Sequence, residues 1–485
     1  MSLAPIDESP SVSTATAARP RGITRRQALA AAVATGVGVG VVRLLGGSMQ
    51  QISSTSRAAS STDWISPLNS VSARVMHLLR RTTMGYTAQQ LETALSDGYD
   101  KTVDRLIETT PAEPPAFAAA STPGGRFAIT DLQQWWIAHM LTTPTPFAER
   151  MTIFWHGHFT SDYRKTANDT FMYWQNLTWR RMAMTDLRSM LMKVTNDPAM
   201  LRYLDLATST GQSPNENYSR EVMELFTMGA GNYTEDDVRE GAKALAGWTL
   251  PPPDATGTVG GRSLPVYTSQ KTGVFNPRRA YRGSVTYLGK TGSLDTQGVV
   301  DRILAQHATA PFIANKVAQH FVTARPSTAY VTRLGDTFRR SNYDMKTLMH
   351  AVFTSPEFTG QSYRALVKSP VEFMVHASRT LGLTSPGKLV AAAGSGMGQS
   401  LFDPPDVNGW PNNESWISSN TVVERVNFVT AALAQAKGTL PSPTDAVHKQ
   451  LDGVLSTQTS NLFNQAAEDR ARWFIVLASP EFQLK

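Results

Sequence analysis

The spacing of apolar residues constrains the fold of this chain more than any other feature of its sequence. From residue 71 to residue 353, apolar side chains recur three and four positions apart within successive blocks, and turn residues separate the blocks. Examples are Val71, Val75, Leu78 and Leu79, then Leu187, Met190, Leu191 and Val194, then Leu348, Val352 and Phe353. Such spacing puts the apolar side chains on one face of an α-helix. The sequence therefore predicts a mainly α, multi-helical globular fold, with 485 residues available to bury a large core.

One segment, residues 250–292, interrupts the helices with closely spaced prolines and glycines. Within it, residues 264–268 and 284–288 are rich in residues that favour β-strands. We expect a short insert that carries a β-hairpin. It separates an N-terminal helical part, residues 61–249, from a C-terminal helical part, residues 293–485, and we expect the three parts to form one domain.

The first 60 residues have the order of a twin-arginine export signal and a linker. Arg25 and Arg26 stand side by side, and a run of Ala, Gly and Val follows them to Val42. A receptor reads such a pair as an address, so we expect export to the periplasm or the extracellular space. The apolar run is short and rich in glycine, and we expect no membrane span beyond an uncleaved signal anchor. Cleavage after Ala58 is the alternative to that anchor.

The charge and the cysteine content exclude several classes of function. The formal net charge is +7, but six arginines against two acids give residues 1–60 a net charge of +4. The remaining chain carries only +3, which does not indicate a nucleic-acid partner. The chain has no cysteine, so disulfides, thiolate chemistry and cysteine metal sites are excluded.

The stretch "GQSPNENYSREVMELFTMGAGNYTEDDV", residues 211–238, concentrates carboxylates and amides. Ser213, the proline after it and Glu216 have the spacing of a capping box, and this predicts that a helix begins there. Thr234, which three acidic residues follow, predicts a second helix start.

Helix structure alone accounts for most of the charges in this stretch. Glu216, Arg220 and Glu224 succeed one another at four-residue steps, which predicts two ion pairs along one helix. Glu221 instead lies near the border of the apolar face, where a carboxylate needs a specific partner.

The same stretch is also a candidate active site. In that interpretation Glu216 and Glu221 act as catalytic acid and base, and Asn215, Asn217 and Arg220 bind the substrate. Caps and ion pairs are the more common uses of such residues, so a purely structural role remains the alternative.

The stretch "FWHGHFTS" provides two further candidates for catalysis or metal binding, His156 and His158. In an extended segment the two side chains share one side and could hold a divalent metal, whereas in a helix they point about 200° apart. Asp205, Glu216 or Glu221 could supply a third ligand. The alternative is that both histidines pack or form hydrogen bonds in the core.

The stretch "LFDPPDVNGWPNNESWISSNTVVERV" places Trp410 and Trp416 among prolines and asparagines. Exposed indoles beside amides and carboxylates suit the stacking of sugar rings, so both residues are candidates for substrate binding. Equally, the two tryptophans could fix an irregular loop against the core.

Several stretches occur in an order that resembles a known family. They are "HLLRRTTMGYT", "ERMTIFWHGHF", "NDPAMLRYLD", "PNENYSREVMELFTMGAGNYTEDDV", "AKALAGW", "PFIANKVAQHF", "PVEFMVHASRTLG" and "LFDPPDVNGWP". Together they resemble the bacterial domain-of-unknown-function family 1800, whose members look like exported proteins. The resemblance implies one family domain over residues 61–485 and a companion exported protein related to alkaline phosphatases and sulfatases. One departure is that Tyr281 and Arg282 stand where members commonly have a His-Asp pair.

Two classes of function follow. The first is an exported hydrolase or lyase that acts on a cell-envelope or environmental polymer such as a polysaccharide. The second is a non-catalytic partner or scaffold for the phosphatase-like companion. The two differ in whether the candidate residues meet in one open cleft.

Overall fold

The computed structural model describes residues 64–117, 128–259, 262–267 and 271–485 of the chain. The predicted export signal, with Arg25 and Arg26, lies outside these residues.

Helices make up most of the described chain, which confirms the predicted fold class. Before the insert they are α1 (Val71–Thr82), α2 (Ala88–Asp97), α3 (Tyr99–Glu108), α4 (Ile129–Thr142), α5 (Pro146–His158), α6 (Tyr163–Thr166), α7 (Asp169–Met182), α8 (Leu187–Asn196), α9 (Pro198–Tyr203), α10 (Asn217–Glu224) and α11 (Glu235–Leu245). After it they are α12 (Thr296–Leu304), α13 (Thr309–Phe321), α14 (Thr328–Arg340), α15 (Met345–Phe353), α16 (Pro370–Thr380), α17 (Gly387–Gly396), α18 (Ser419–Gln435), α19 (Pro443–Leu451), α20 (Thr457–Gln465), α21 (Asp469–Ala478) and α22 (Pro480–Gln483).

The insert contains short strands, as the sequence predicts, but they form more than the one expected hairpin. β1 (Trp248–Thr249) lies directly before the insert, and the strands within it are β2 (Ala255–Val259), β3 (Arg262–Val266), β4 (Val274–Phe275), β5 (Val285–Tyr287) and β6 (Lys290–Gly292). They form three antiparallel pairs, β1 with β4, β2 with β3 and β5 with β6. The side chains of Val285 and Tyr287 are buried in a hydrophobic core, so the hairpin of β5 and β6 packs against the helices.

Helix α5 lies at the centre of the arrangement. Every residue of this helix except Gly157 is buried, which means that other elements surround it on all sides. Trp155 belongs to a first hydrophobic core with residues from positions 78–358, and Ile153 belongs to a second core with residues from positions 84–484. Segments from both halves of the chain therefore pack around one helix.

Because α5 is buried all round, its charged residues need partners inside the protein. Glu149 accepts hydrogen bonds from Arg180, at 2.5 and 3.0 Å, and from the indole of Trp136, at 2.7 Å. His139 Nε2 lies 3.3 Å from the same carboxylate. Burial by itself raises the pKa of Glu149, but Arg180 and His139 outweigh it and hold that pKa at about 2.

The predicted helix start at Ser213 is wrong. Helix α10 begins at Asn217, with Glu216 in the capping position and no capping side chain. The side chain of Asn215 accepts a hydrogen bond from the Asn217 amide at 3.0 Å, and the Asn215 amide donates to Ser209 Oγ at 3.0 Å. Asn215 thus holds the chain in a turn where the helix was expected to start.

The predicted helix start at Thr234 is confirmed. Thr234 accepts a hydrogen bond from the Asp237 amide, and the Asp237 side chain accepts one from the Thr234 amide. The two residues form a reciprocal capping box at the start of α11, and Glu235 and Asp236 lie in the same first turn.

The boundaries between the helical parts and the insert stay a prediction. Over the part of the chain that the structure describes, no helix combines the length and the apolar character needed to cross a membrane.

Candidate functional site

An open cleft lies between α5, α13 and residues 403–416, which we call the tryptophan loop. It consists of two adjoining cavities with volumes of about 100 and about 320 Å³, here called the inner and the outer cavity. Residues that line both are Gly157, His158, Lys316, Asn408, Trp410, Pro411 and Asn412. The inner cavity also reaches Glu372 and Lys485, and the outer cavity reaches Leu225 and Asp406.

A contact between two glycines sets the position of the tryptophan loop. Gly409 has a φ of +85°, a conformation that favours glycine. A Cβ at this position would lie 2.1 Å from the carbonyl oxygen of Gly157. The backbone of the loop therefore rests directly on the C-terminal end of α5.

His158 faces the cleft, in line with its prediction as a candidate. Its Nε2 donates to the carbonyl of Phe226 at 2.9 Å, which leaves Nδ1 as the acceptor of the ring. Burial, and then Lys316, lower the pKa of His158 to about 3. The imidazole is therefore neutral at physiological pH.

His156 lies in the core and not in the cleft. The Asn176 amide donates to His156 Nε2 at 3.1 Å, and the ring packs against Trp136 and Phe402. Burial, and then Arg180, lower the pKa of His156 to about 3. This environment is that of a packing histidine, the alternative that the sequence left open.

The structure does not bring the three candidate metal ligands together. Because His156 and His158 both lie within α5, they have the helical spacing that prevents them from sharing one ion. Asp205 is bound elsewhere, to Lys165 at 2.9 Å and to the Asn217 amide at 3.0 Å. Within the described ranges, no group of three or more His, Asp and Glu side chains is placed to hold a metal ion.

Trp410 and Trp416 are buried and not exposed platforms. Their exposed fractions are 7% and 4%, so the expectation of exposed indoles is wrong and the alternative of a loop fixed against the core is observed. Both nevertheless contribute to the wall of the inner cavity. The indole N–H of Trp410 has no acceptor among the described residues.

Most of the candidates on α10 are engaged outside the cleft. Arg220 binds Glu235 at 2.6 and 2.8 Å and reaches Glu216 at 3.5 Å. The predicted ion pair of Arg220 with Glu224 is not formed, because the guanidinium binds Glu235 instead. Glu224 accepts a hydrogen bond from the hydroxyl of Tyr233. Arg220 therefore joins α10 to α11.

The amides of α10 are also used structurally. Asn217 donates to Asp205, and Asn215 forms the turn before the helix. Neither asparagine lines the two cavities, and neither does Glu216 or Arg220. The predicted substrate-binding role of these residues gains no support from their position.

Glu221 differs from the other carboxylates of α10. It is half-buried, and in the described part of the chain its side chain has no hydrogen bond and no ion pair. Burial, and then the nearby Glu224, raise the pKa of Glu221. Glu221 lines neither cavity, but Leu225, the residue directly after its helix, lines the outer one.

Glu221 and Asp406 are both among the charges that act on the phenol of Tyr203. Burial, and then Asp162, Asp406 and Glu221, raise the pKa of the Tyr203 phenol. Asp406 lines the outer cavity. Of these residues only Asp406 lines the cleft, because Tyr203 and Glu221 line neither cavity.

The model of one protein family matches residues 77–484 of the chain, and its description reads "Protein of unknown function (DUF1800)". The chain belongs to the DUF1800 family. Searches of curated proteins and of solved structures gave no match.

Five of the stretches that carry the resemblance meet at the cleft of this DUF1800 protein. They are residues 149–159 on α5, 214–238 through Leu225, 311–321 on α13, 370–382 on α16 and 401–411 in and before the tryptophan loop. Tyr281, in the place of the departure from the family pattern, lies at the surface beside Lys243 and does not line the cleft.

Sequence reasoning missed the charges at the inner end of the cleft. Arg150 and Lys485 both contact Glu372 Oε2, at 3.1 and 2.7 Å, and all three side chains are buried. In the sequence, Arg150, Glu372 and Lys485 show no spacing that would predict their contact. The only available signal was the placement of Arg150 and Glu372 in otherwise apolar helical stretches.

Proposed function

We propose that this DUF1800 protein binds a polymer rich in oxygen acceptors, a polysaccharide of the cell envelope or the environment, in the cleft. The observation that carries the proposal is the set of unused donors on the wall that both cavities share. The Trp410 indole N–H has no acceptor, and the side chains of Asn408 and Asn412 have no hydrogen bond among the described residues. The Trp410 N–H is buried, so its lack of an acceptor is costly and a ligand that reaches it would relieve that cost, whereas the exposed amides of Asn408 and Asn412 would exchange water for the ligand.

The chemistry and the shape of the cleft suit a sugar chain. Sugars present hydroxyl and ring oxygens to N–H donors and apolar C–H faces to aromatic and aliphatic walls. The cleft offers amide donors together with apolar surface from Trp410, Trp416 and Pro411. An open groove also admits one segment of a long chain, whereas a closed pocket admits only a small molecule.

A double variant tests this proposal with little risk to the fold. Asn408 and Asn412 are exposed at the cleft, so Asn408→Ala with Asn412→Ala should leave the melting temperature nearly unchanged. Loss of two hydrogen bonds, at about 1 kcal/mol each, should weaken binding by roughly ten- to thirtyfold. Affinity electrophoresis against soluble polygalacturonate, alginate, chondroitin sulfate and dextran measures the effect.

The matched control is Asn420→Ala, an exposed asparagine of α18 that does not line the cleft. It should bind as the wild type does. Equal binding by the double variant and the control would place the polymer elsewhere. No binding to any polymer by the wild type would favour the non-catalytic partner of a companion exported protein.

Hydrolysis of the bound polymer is a second candidate function, and Glu221 is the observation that favours it. A general acid must keep its proton near neutral pH, which a raised pKa achieves. Burial and Glu224 raise the pKa of Glu221, which has no structural partner among the described residues, and Asp406 lines the outer cavity. In this proposal Glu221 protonates the leaving oxygen and Asp406 activates water or attacks.

Glu221→Gln separates the catalytic interpretation from a structural one. Because the carboxylate has no partner to lose, we expect the free energy of unfolding to stay unchanged or to rise. Release of reducing ends from a polymer that the protein binds should fall at least 100-fold, while binding itself persists. Glu216→Gln, at the surface pair with Arg220, should change neither quantity by much.

A destabilisation on the order of 1–3 kcal/mol in Glu221→Gln would reveal a structural partner and remove Glu221 as the acid. Export by the twin-arginine route, to the periplasm or the extracellular space, belongs to the same proposal, because a polysaccharide target lies outside the cytoplasm.

A further inference from the structure

The inner end of the cleft holds more cations than its acids neutralise. Arg150 Nη1 and Lys485 Nζ share a single oxygen, Glu372 Oε2. Glu372 has the only acidic side chain among the described residues that line the inner cavity. Lys316, which lines both cavities, has no hydrogen bond and no ion pair in the described chain and only contacts the ring of Phe312, at 5.3 Å. Two cationic side chains, Lys316 and Lys485, therefore line the inner cavity with one carboxylate, which Arg150 also contacts from outside the lining.

Two further buried cations interact electrostatically with Glu372. Arg81 and Lys368 are buried, and Arg81 Nε and Nη1 have no hydrogen-bond partner among the described residues. Burial, and then Arg150, Lys485 and Arg81, lower the pKa of His320, which also lines the inner cavity. His320 is therefore neutral and adds no charge, but its pKa reports the positive potential that these groups create.

Burial of a cation without a counter-ion costs free energy, and an anion that enters the cleft would lower this cost. We propose that the inner cavity binds the anionic group, a carboxylate or a sulfate, of an acidic polysaccharide, with Lys316 as its principal counter-ion. This inference rests on the proposed function and specifies its substrate class.

The two cavity sizes agree with this division of the ligand. A volume of about 100 Å³ accommodates one small anionic group, and the adjoining volume of about 320 Å³ has room for the sugar ring that carries it. Trp410, Asn408 and Asn412 line both cavities. They can donate to the oxygens of the ring or of the anion.

Inorganic sulfate and acetate test the anionic subsite without any polymer. At constant ionic strength set with sodium chloride, isothermal titration should detect binding of at least one of the two anions to the wild type. Lys316→Gln should weaken that binding at least tenfold and leave the fold intact, because the lysine has no hydrogen bond or ion pair to lose among the described residues. Lys388→Gln removes the same charge from an exposed position on α17 and should bind as the wild type does.

Two results overturn the subsite. One is the absence of any anion binding by the wild type, and the other is equal binding by the wild type and Lys316→Gln. Binding that both lysine variants weaken equally would indicate a general effect of net charge and would overturn the assignment to Lys316.

Paired polymers distinguish failure of this inference from failure of the proposed function. Polygalacturonate is compared with its methyl ester, and chondroitin sulfate with its desulfated form. We expect the wild type to prefer the acidic member of at least one pair and Lys316→Gln to lose most of that preference. Equal binding to both members would retain a polysaccharide cleft and remove the anionic subsite. Anion binding that depends on Lys316, without binding of any polymer, would retain the subsite and remove the polysaccharide.

Discussion

Gly409→Ala should destabilise the protein by on the order of 4 kcal/mol or more, or prevent it from folding. The new Cβ would lie 2.1 Å from the Gly157 carbonyl oxygen, and φ at this position is +85°. Both atoms of the clash are fixed to backbone, so relief requires movement of the tryptophan loop away from α5. Chemical denaturation followed by circular dichroism measures the loss.

Gly398→Ala is the matched control for this substitution. Its φ is +82°, nearly the same, but no atom lies within 4 Å of the Cβ position. Only the cost of the left-handed conformation applies there, about 1–2 kcal/mol. Equal losses in the two variants would show that the glycine contact does not fix the loop, and the described shape of the cleft would then be wrong.

Glu149→Gln should be the second most damaging substitution, with a loss of about 3–5 kcal/mol. The side chain of Arg180 is buried, and Glu149 is the carboxylate that it contacts. A glutamine in its place leaves the guanidinium charge uncompensated in the interior. Urea denaturation of the variant and the wild type measures the difference.

The ion pair of Arg181, the residue that follows Arg180, provides the control. Arg181 pairs with Glu113 at 2.6 Å, but both side chains are about half exposed. Glu113→Gln should therefore cost no more than about 1 kcal/mol. Similar losses in Glu149→Gln and Glu113→Gln would contradict a buried and compensated charge on α5.

The dependence of stability on pH in the acid range tests the same ion pair, Glu149 with Arg180. The pKa of Glu149 is about 2 in the folded protein and about 4.3 in an unfolded chain. Its ionisation therefore stabilises the fold above about pH 4.3, and this contribution is lost as the pH falls towards about 2. The stability difference between the wild type and Glu149→Gln should be constant near neutral pH and should shrink over that acid range.

Local chemistry made parts of the fold predictable. The helical spacing, the insert and the capping box at Thr234 all depend on residues near one another in the chain. The helix start predicted at Ser213 shows the limit of this reasoning, because a second side chain, that of Asn215, forms a turn in the same segment. Asn215 bonded to the Asn217 amide and delayed the helix, and the spacing of Ser213 and Glu216 could not reveal this outcome.

The cleft was predictable only in part. His158, Trp410 and Trp416 were recognised from their residue types, and all three line it. Arg220 has an equally suggestive sequence context but is occupied by Glu235, which starts the next helix. The charged pair of Lys485 and Glu372 joins residues 113 positions apart, and tertiary packing alone decides such contacts.

The most direct measurement of the central claim is a crystal structure of the protein with the acidic oligosaccharide that it binds most tightly. We expect the sugar ring in the outer cavity beside Trp410. We expect its carboxylate or sulfate in the inner cavity, within about 3 Å of the Lys316 ammonium. An ordered oligosaccharide bound at another surface, with the cleft unchanged and empty at saturating concentration, would contradict the account.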